Sequence, residues 1–286
     1  MNTPRQVAPG IRVFPVRTPT LPPATHTNVW LLGHDRLTVF DAASPWPDEQ
    51  AALAEHLDSL GIPVEQLVLT HHHHDHIGGV AALRDHLGGV PVLAHPLTDA
   101  RVPFPTIPWE HGETRDCGGL SVTAHHTPGH APGHLVFHDS ASGMVVAGDM
   151  VAGVGTIAIE PGDGGHLGTY LASLEAMRAL GPSALLPAHG PVLEQADSVL
   201  AFYIAHRHGR TDQIRRALDL AGTSTALELA PHVYTELDPR LYPLAAVQIS
   251  AHLIWLAEQG VVEDRNGAWA TISLSSTGRH APKAWK

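Results

Sequence analysis

The sequence predicts an α/β fold: a four-layer αββα sandwich, two sheets between helices, followed by a small helical domain. Three observations carry this. Short apolar runs of strand length recur in two blocks, over residues 11–94 and 120–186. Each block contains a stretch of helical period, 48–60 in the first and 168–180 in the second. From about residue 193 strands give way to long helical patterns.

The elements follow in order. Residues 11–16, 28–32 and 37–40 read as strands, the third closed by Asp41. A helix over 48–60 stops at Gly61, a C-cap signal. A strand over 66–70 leads into a histidine-rich loop, then a helix to about Leu87, then a strand over 91–94. Residues 96–114 are Pro-rich and read as a surface loop of the kind that borders sites. In the second block, 120–124 alternates as a strand, and 135–138 with 144–147 form a hairpin around Ser140-Ala141-Ser142-Gly143. The helix over 168–180 ends at Gly181-Pro182, and 184–186 is a last strand. Beyond lie an amphipathic helix over 195–219, a helix over 225–234 capped by Thr223 or Ser224, and a helix over 241–259. A hairpin turning at Asn266-Gly267 follows. Three helices and a hairpin make a winged-helix pattern, and the tail from Ser273 reads as loose. The domain boundary is placed at 192/193.

Residues 71–76, His-His-His-His-Asp-His, are six consecutive side chains able to bind a metal. Neutral imidazoles with a carboxylate suit zinc at neutral pH. A solvated histidine tract is the plain alternative. Such tracts sit at termini, whereas this one lies between an apolar strand and a helix start.

Composition narrows the class. The 286 residues hold 28 acidic and 17 basic side chains, a net charge of −11, and 23 histidines. Residues 1–192 carry eighteen of the acidic and eight of the basic groups, the opposite of a nucleic-acid footprint. A single cysteine, Cys117, excludes an intramolecular disulfide and fits a cytoplasmic home. No apolar run is long enough to span a bilayer, and Met1–Gly10 lacks the apolar core of a signal peptide.

Three more metal-competent segments end predicted strands: the run 126–134, His-Thr-Pro-Gly-His-Ala-Pro-Gly-His; Gly148-Asp149; and Pro187-Ala188-His189-Gly190. Together with His71-x-His73-x-Asp75-His76, these motifs resemble the metallo-β-lactamase superfamily over about residues 10–192. The C-terminal segment resembles the winged-helix appendage of the lactamase-β-like-2 branch, with glyoxalase II as a more distant relative.

The resemblance implies two divalent metal ions, zinc foremost, with iron or manganese as alternatives. His71, His73 and His130 would hold one, Asp75, His76 and His189 the other, and Asp149 would bridge them. It implies hydrolysis by a metal-bridging hydroxide, with Asp75 as the catalytic carboxylate that orients it and takes its proton. His72 and His74 read as spacers, and His134 as an outer support or a substrate-side group. His126 reads as packing its loop, His95 as a lesser candidate for the rim, and His232 and His252 as structural. His206 and His208 read as a solvated helix face.

Asp149 and His189 are only forty positions apart, which excludes the nuclease branch with a large insertion there. The charge favours a small-molecule or carrier-bound acyl substrate, a thioester, ester or lactone, over the alternative of a single-strand endoribonuclease. No membrane partner is expected, and the helical appendage reads as a wall of the active site or a homodimer contact.

Overall fold

In the computed structural model residues 3–272 are described, so the expected loose tail from Ser273 lies outside the described residues. The first sheet runs in sequence order through seven strands: β1 (Arg5–Ala8), β2 (Ile11–Arg17), β3 (His26–Leu32), β4 (Leu37–Phe40), β5 (Val64–Val68), β6 (Val92–Ala94) and β7 (Ile107–Pro108). Strands β1 to β4 are antiparallel meanders. From β4 to β7 the pairing is parallel, which requires crossovers. These are α1 (Pro47–Leu60), then α2 (His74–Ile77) with α3 (Val80–His86), then α4 (Pro96–Asp99).

The second sheet comprises β8 (Thr114–Cys117), β9 (Leu120–His126), β10 (Leu135–Asp139), β11 (Met144–Gly148) and β12 (Ala184–Pro187), in the order β12-β11-β10-β9-β8. Only β11 and β12 are parallel, joined through α5 (Leu167–Ala179).

Alternation decides which side chains meet. In β9, Leu120, Val122 and Ala124 are buried while Ser121 is exposed. With Phe137, Val146 and Leu186 they face Ile11, Val13, Trp30, Phe40, Val68 and Leu93 of the first sheet. At the centre Phe40 meets Phe137 edge-on, with ring centroids 5.0 Å apart. Each such buried ring stabilises by about 1.5–3 kcal/mol, and the pair geometry adds about 0.5–1.5 kcal/mol. The other face of the first sheet, through Val29, Leu31, Val39 and Leu67, packs on Leu53 and Leu57 of α1 and Val80 and Leu83 of α3. Covered on both faces, β4 is buried at every position.

Some expectations shift. The span 96–114 is not loop throughout, since it holds α4 and β7. The edge strands β1 and β8 have polar, half-exposed sequences that carry no alternation. The helix after β5 begins inside the histidine run, at His74. Gly78 and Gly79 then pass so close to the 42–45 backbone that a Cβ on either would lie within 2.9 Å of it. That contact seats the start of α3 and the run before it.

The chain divides into two compact units at His208/Gly209, inside α6 (Ala196–Ala221). The first half of α6 is tied to the first unit: Tyr203 bonds the backbone of Ala152, and Arg207 donates to the carbonyl of Ile157. The second unit continues with β13 (Thr223–Ser224), α7 (Ala226–Val233), α8 (Tyr242–Glu258), β14 (Val262–Arg265) and β15 (Ala268–Thr271). Its core gathers Ile214, Leu218, Leu229, Ile249, Leu253 and Val262. The helix α7 is capped by Thr225, not Thr223 or Ser224, because those two pair with β15. Thr225 and Glu228 form a reciprocal capping box. Asn266 and Gly267 both take positive φ, the geometry of a tight hairpin turn. His252 is buried and bonds Thr211, the structural role expected of it. Among the described residues no helix is long and apolar enough to cross a membrane.

Candidate metal centre

The loops leaving β5, β9, β11 and β12 bring the predicted residues together. Two clusters arise. In one, His71 Nε2 lies 3.0 Å from His73 Nδ1 and 3.2 Å from His130 Nε2. In the other, His189 Nε2 lies 3.6 Å from Asp75 Oδ2, and His76 Nε2 lies 4.0 Å from Asp75 Oδ1. Asp149 stands between them. Its Oδ2 is 3.5 Å from His130 Nε2, and its Oδ1 is 3.5 Å from His76 Nε2 and 3.4 Å from His189 Nε2. All seven residues singled out from the sequence converge, and the ligand-capable atoms group as triads. His71 and His76 are fully buried, and His130, Asp149 and His189 nearly so.

The outer partners fix which ring nitrogen carries the proton. His130 Nδ1 donates to the carbonyl of Ala158 at 2.7 Å, and His189 Nδ1 to that of His26 at 3.0 Å. His76 Nδ1 donates to Asp41 Oδ2 at 2.9 Å. The Thr70 hydroxyl donates to Asp41 Oδ2 at 2.8 Å, so its oxygen accepts from His71 Nδ1 at 2.9 Å. The Nε2 atoms of His71 and His130 are therefore left as bare lone pairs pointing inward, and those of His76 and His189 face inward beside Asp149. Two such lone pairs on His71 and His130, 3.2 Å apart, cannot bond each other. Likewise His76 Nε2 and Asp149 Oδ1 are buried with no hydrogen-bond partner. Orphaned acceptors in dry surroundings are costly unless a cation completes them. The residues fit a metal.

Charge tells the same story. Burial, reinforced by His76, His73 and His130, holds the His71 pKa well below its ordinary value, which keeps it neutral and ligand-ready. Burial likewise pushes His130 down to about 4. Burial opposes charge on Asp149 and on His76 too, but their mutual attraction wins. With His189 and His76 beside it, the Asp149 carboxyl stays well below the usual range. Asp149, Asp41 and Asp75 hold His76 well above its own. This half of the centre favours positive charge.

His134 is fully buried and lies outside the clusters. Its Nε2 accepts from the backbone N–H of Asp149 at 3.1 Å, so it supports Asp149 from behind. His126 stacks on His95, at 4.0 Å and 11°, and bonds the carbonyl of Pro132, packing its loop as expected. His95 caps α4: its Nδ1 accepts from the N–H of Leu97. Sequence reasoning missed Asp41, Thr70 and Asp163. Asp41 had one signal, a carboxylate ending an apolar strand. Its φ is 55°, and its carboxylate accepts from the backbone N–H of Thr70 and from His76. Asp163 had none.

Comparison with known proteins identifies the family. Residues 22–189 match the metallo-β-lactamase superfamily, and residues 225–269 the β-lactamase-associated winged helix domain. A β-lactamase-like protein 2 homolog of Drosophila melanogaster is 30% identical over 82% of this chain and 83% of its own. An atrochrysone carboxyl ACP thioesterase of Aspergillus fumigatus is 30% identical over 70% of this chain and 46% of its own. A metallo-β-lactamase family protein from Thermus thermophilus superposes with a TM-score of 0.79 at 25% identity, covering 93% of this chain and all of that one. TTHA1623, solved in a di-iron-bound form, gives 0.53 at 30% identity over 65% of this chain and 96% of its own. The chain belongs to the metallo-β-lactamase superfamily, as a metal-dependent hydrolase that carries the winged helix domain associated with it.

Proposed function

We propose that the protein hydrolyses an acyl substrate, a thioester, ester or lactone, at a centre of two divalent ions. His71, His73 and His130 would hold one ion and Asp75, His76 and His189 the other, with the Asp149 side chain between the two groups of residues. The single observation that carries this is the Asp149 carboxylate, with one oxygen turned to His130 and the other to His76 and His189. When bound, zinc supplies a Lewis acid for the acyl oxygen and a nucleophile from water near pH 7.

The chain's own groups do the rest. Burial keeps His71 and His130 neutral, and the outer acceptors hold the rings of His71, His76, His130 and His189 in place. Asp75, the more exposed of the two carboxylates in the clusters, is the group that accepts the proton released as the nucleophile forms. His134 and Thr127 hold the Asp149 backbone still.

Two facts support an acyl substrate. One relative is named as an acyl-carrier thioesterase. Residues 1–192 carry ten more acidic than basic groups, which repels a polyanion such as RNA. The di-iron neighbour keeps iron open as the resident metal.

The test is metal analysis of the purified protein with turnover of an acyl-thioester panel, a lactone panel and single-stranded RNA. Two equivalents of metal and thioester or lactone turnover are expected, lost together in His71→Ala and Asp149→Ala. Cleavage of RNA without acyl turnover would overturn the substrate class, and full activity of a metal-free His71→Ala protein would overturn the centre.

A further inference from the structure

His73 is held differently from the other candidate ligands. It turns Nδ1, not Nε2, toward His71. Its Nε2 points outward and donates to Asp163 Oδ2 at 2.9 Å. His72, whose place in the motif reads as a spacer, donates its Nε2 to the same oxygen at 2.9 Å. The other oxygen, Asp163 Oδ1, accepts from Arg101 Nη1 at 2.9 Å, and Arg101 also donates to the Asp163 carbonyl at 3.1 Å. The carboxylate thus joins three chain segments that are remote in sequence. Asp163 closes a short turn over Pro161–Asp163. At Gly164 the φ is +84°, and a Cβ there would sit 2.7 Å from Pro132, so the turn lies pressed against the loop that carries His130.

We propose that Asp163 is a positioning residue that sets the cation affinity of the three-histidine position, by holding His73 through its outer nitrogen while Arg101 holds Asp163. The proposal rests on the reading of His71, His73 and His130 as metal ligands. The chemistry is that of a carboxylate behind an imidazole: it fixes the tautomer, locks the ring and raises the basicity of the inner nitrogen. Without Asp163 the His73 ring is free to rotate and to carry its proton on Nδ1, which removes one ligand of three. Asp163 acts on this position alone, since the outer nitrogens of His76 and His189 donate to Asp41 and to the carbonyl of His26. Its side chain is 35% exposed, against 3% for Asp41, so replacing it leaves the core undisturbed.

The experiment uses the full chain, stripped of metal by chelation and titrated with zinc against a chromophoric chelator. Cobalt titration, read by visible absorption, reports on ligand geometry. Wild type is expected to bind two ions. In Asp163→Ala one ion weakens about 10–100-fold while the other keeps its affinity. Asp163→Asn, which keeps one acceptor oxygen, falls between. Apoprotein melting temperatures should match across the three. Two ions bound by Asp163→Ala as tightly as by wild type would overturn the proposal, as would equal weakening of both together with a lower melting temperature. Failure of the wild type to bind two ions is a separate outcome that removes the underlying metal reading and this proposal with it.

Discussion

Replacing Thr70 with Val probes the tautomer argument directly. The hydroxyl sits fully buried between two groups, donating to Asp41 Oδ2 at 2.8 Å and accepting from His71 Nδ1 at 2.9 Å. Valine keeps the shape and deletes both bonds. Asp41 retains the backbone N–H of Thr70 and the His76 imidazole, so its carboxylate remains partly satisfied. The lost bond to a charged acceptor costs about 1.5–3 kcal/mol, and the buried imidazole N–H left without a partner costs about 1–3 kcal/mol. The two share a site and do not simply add, so the apoprotein should lose about 2–4 kcal/mol. At about 2–4 °C per kcal/mol for a unit of this size, that is a fall in melting temperature of roughly 5–15 °C. Metal affinity should fall about 10–100-fold as well, because nothing then keeps the proton of His71 off the inward nitrogen. Calorimetry of the apoprotein and competitive zinc titration measure the two effects. A destabilised variant that binds zinc as tightly as wild type would refute the claim that Thr70 selects the tautomer.

Three further changes test other parts of the fold. Gly129→Ala puts a Cβ 2.3 Å from the Tyr170 backbone at a φ of +127°, and should cost more than about 3 kcal/mol, seen as loss of soluble folded protein and of bound metal. Thr225→Ala breaks the capping box of α7 and should cost about 0.5–2 kcal/mol by denaturant unfolding, with acyl turnover unchanged. His95 is held at about 4 by burial and by the facing His126, so the unfolded chain binds its proton first as pH falls. The stability His95 contributes when neutral is complete above about pH 6.5 and drains between there and about pH 4. His95→Asn, which keeps a capping oxygen, should flatten the pH dependence of melting in that window; an unchanged slope would count against it.

Legibility in the sequence followed burial and chain continuity. The core strands could be read because their faces alternate or are apolar throughout, as in β4 and β9. The edges β1 and β8 could not, because Arg5-Gln6 and Thr114-Arg115-Asp116 offer no apolar alternation to read. The seven converging residues were legible because each follows an apolar strand within a short, Gly- or Pro-fixed motif. Their outer partners were not. Asp41 lies in no motif with His76, and the ninety positions between His73 and Asp163 are bridged only in space. The Thr225 cap was displaced from expectation because the strand pairing of Thr223 and Ser224 depends on β15, far along the chain.

The outer partners also divide the centre into two mechanical halves. His76 and His189 are anchored by Asp41, at the end of β4, and by the carbonyl of His26, at the start of β3. Those are positions of the first sheet and move only if the sheet does. His130 and His73 are anchored by the Ala158 carbonyl and by Asp163, both in the connection between β11 and α5, and Asp163 is tied in turn to Arg101 just after α4. These are long connections between core elements, the kind of segment that carries binding residues. A change in them that reshapes the substrate mouth therefore also moves two of the three histidines at one position, and leaves the other position alone. Substrate preference and the affinity of the three-histidine position should for that reason vary together among variants of residues 96–114 and 152–166, while the affinity of the position built from Asp75, His76 and His189 stays constant.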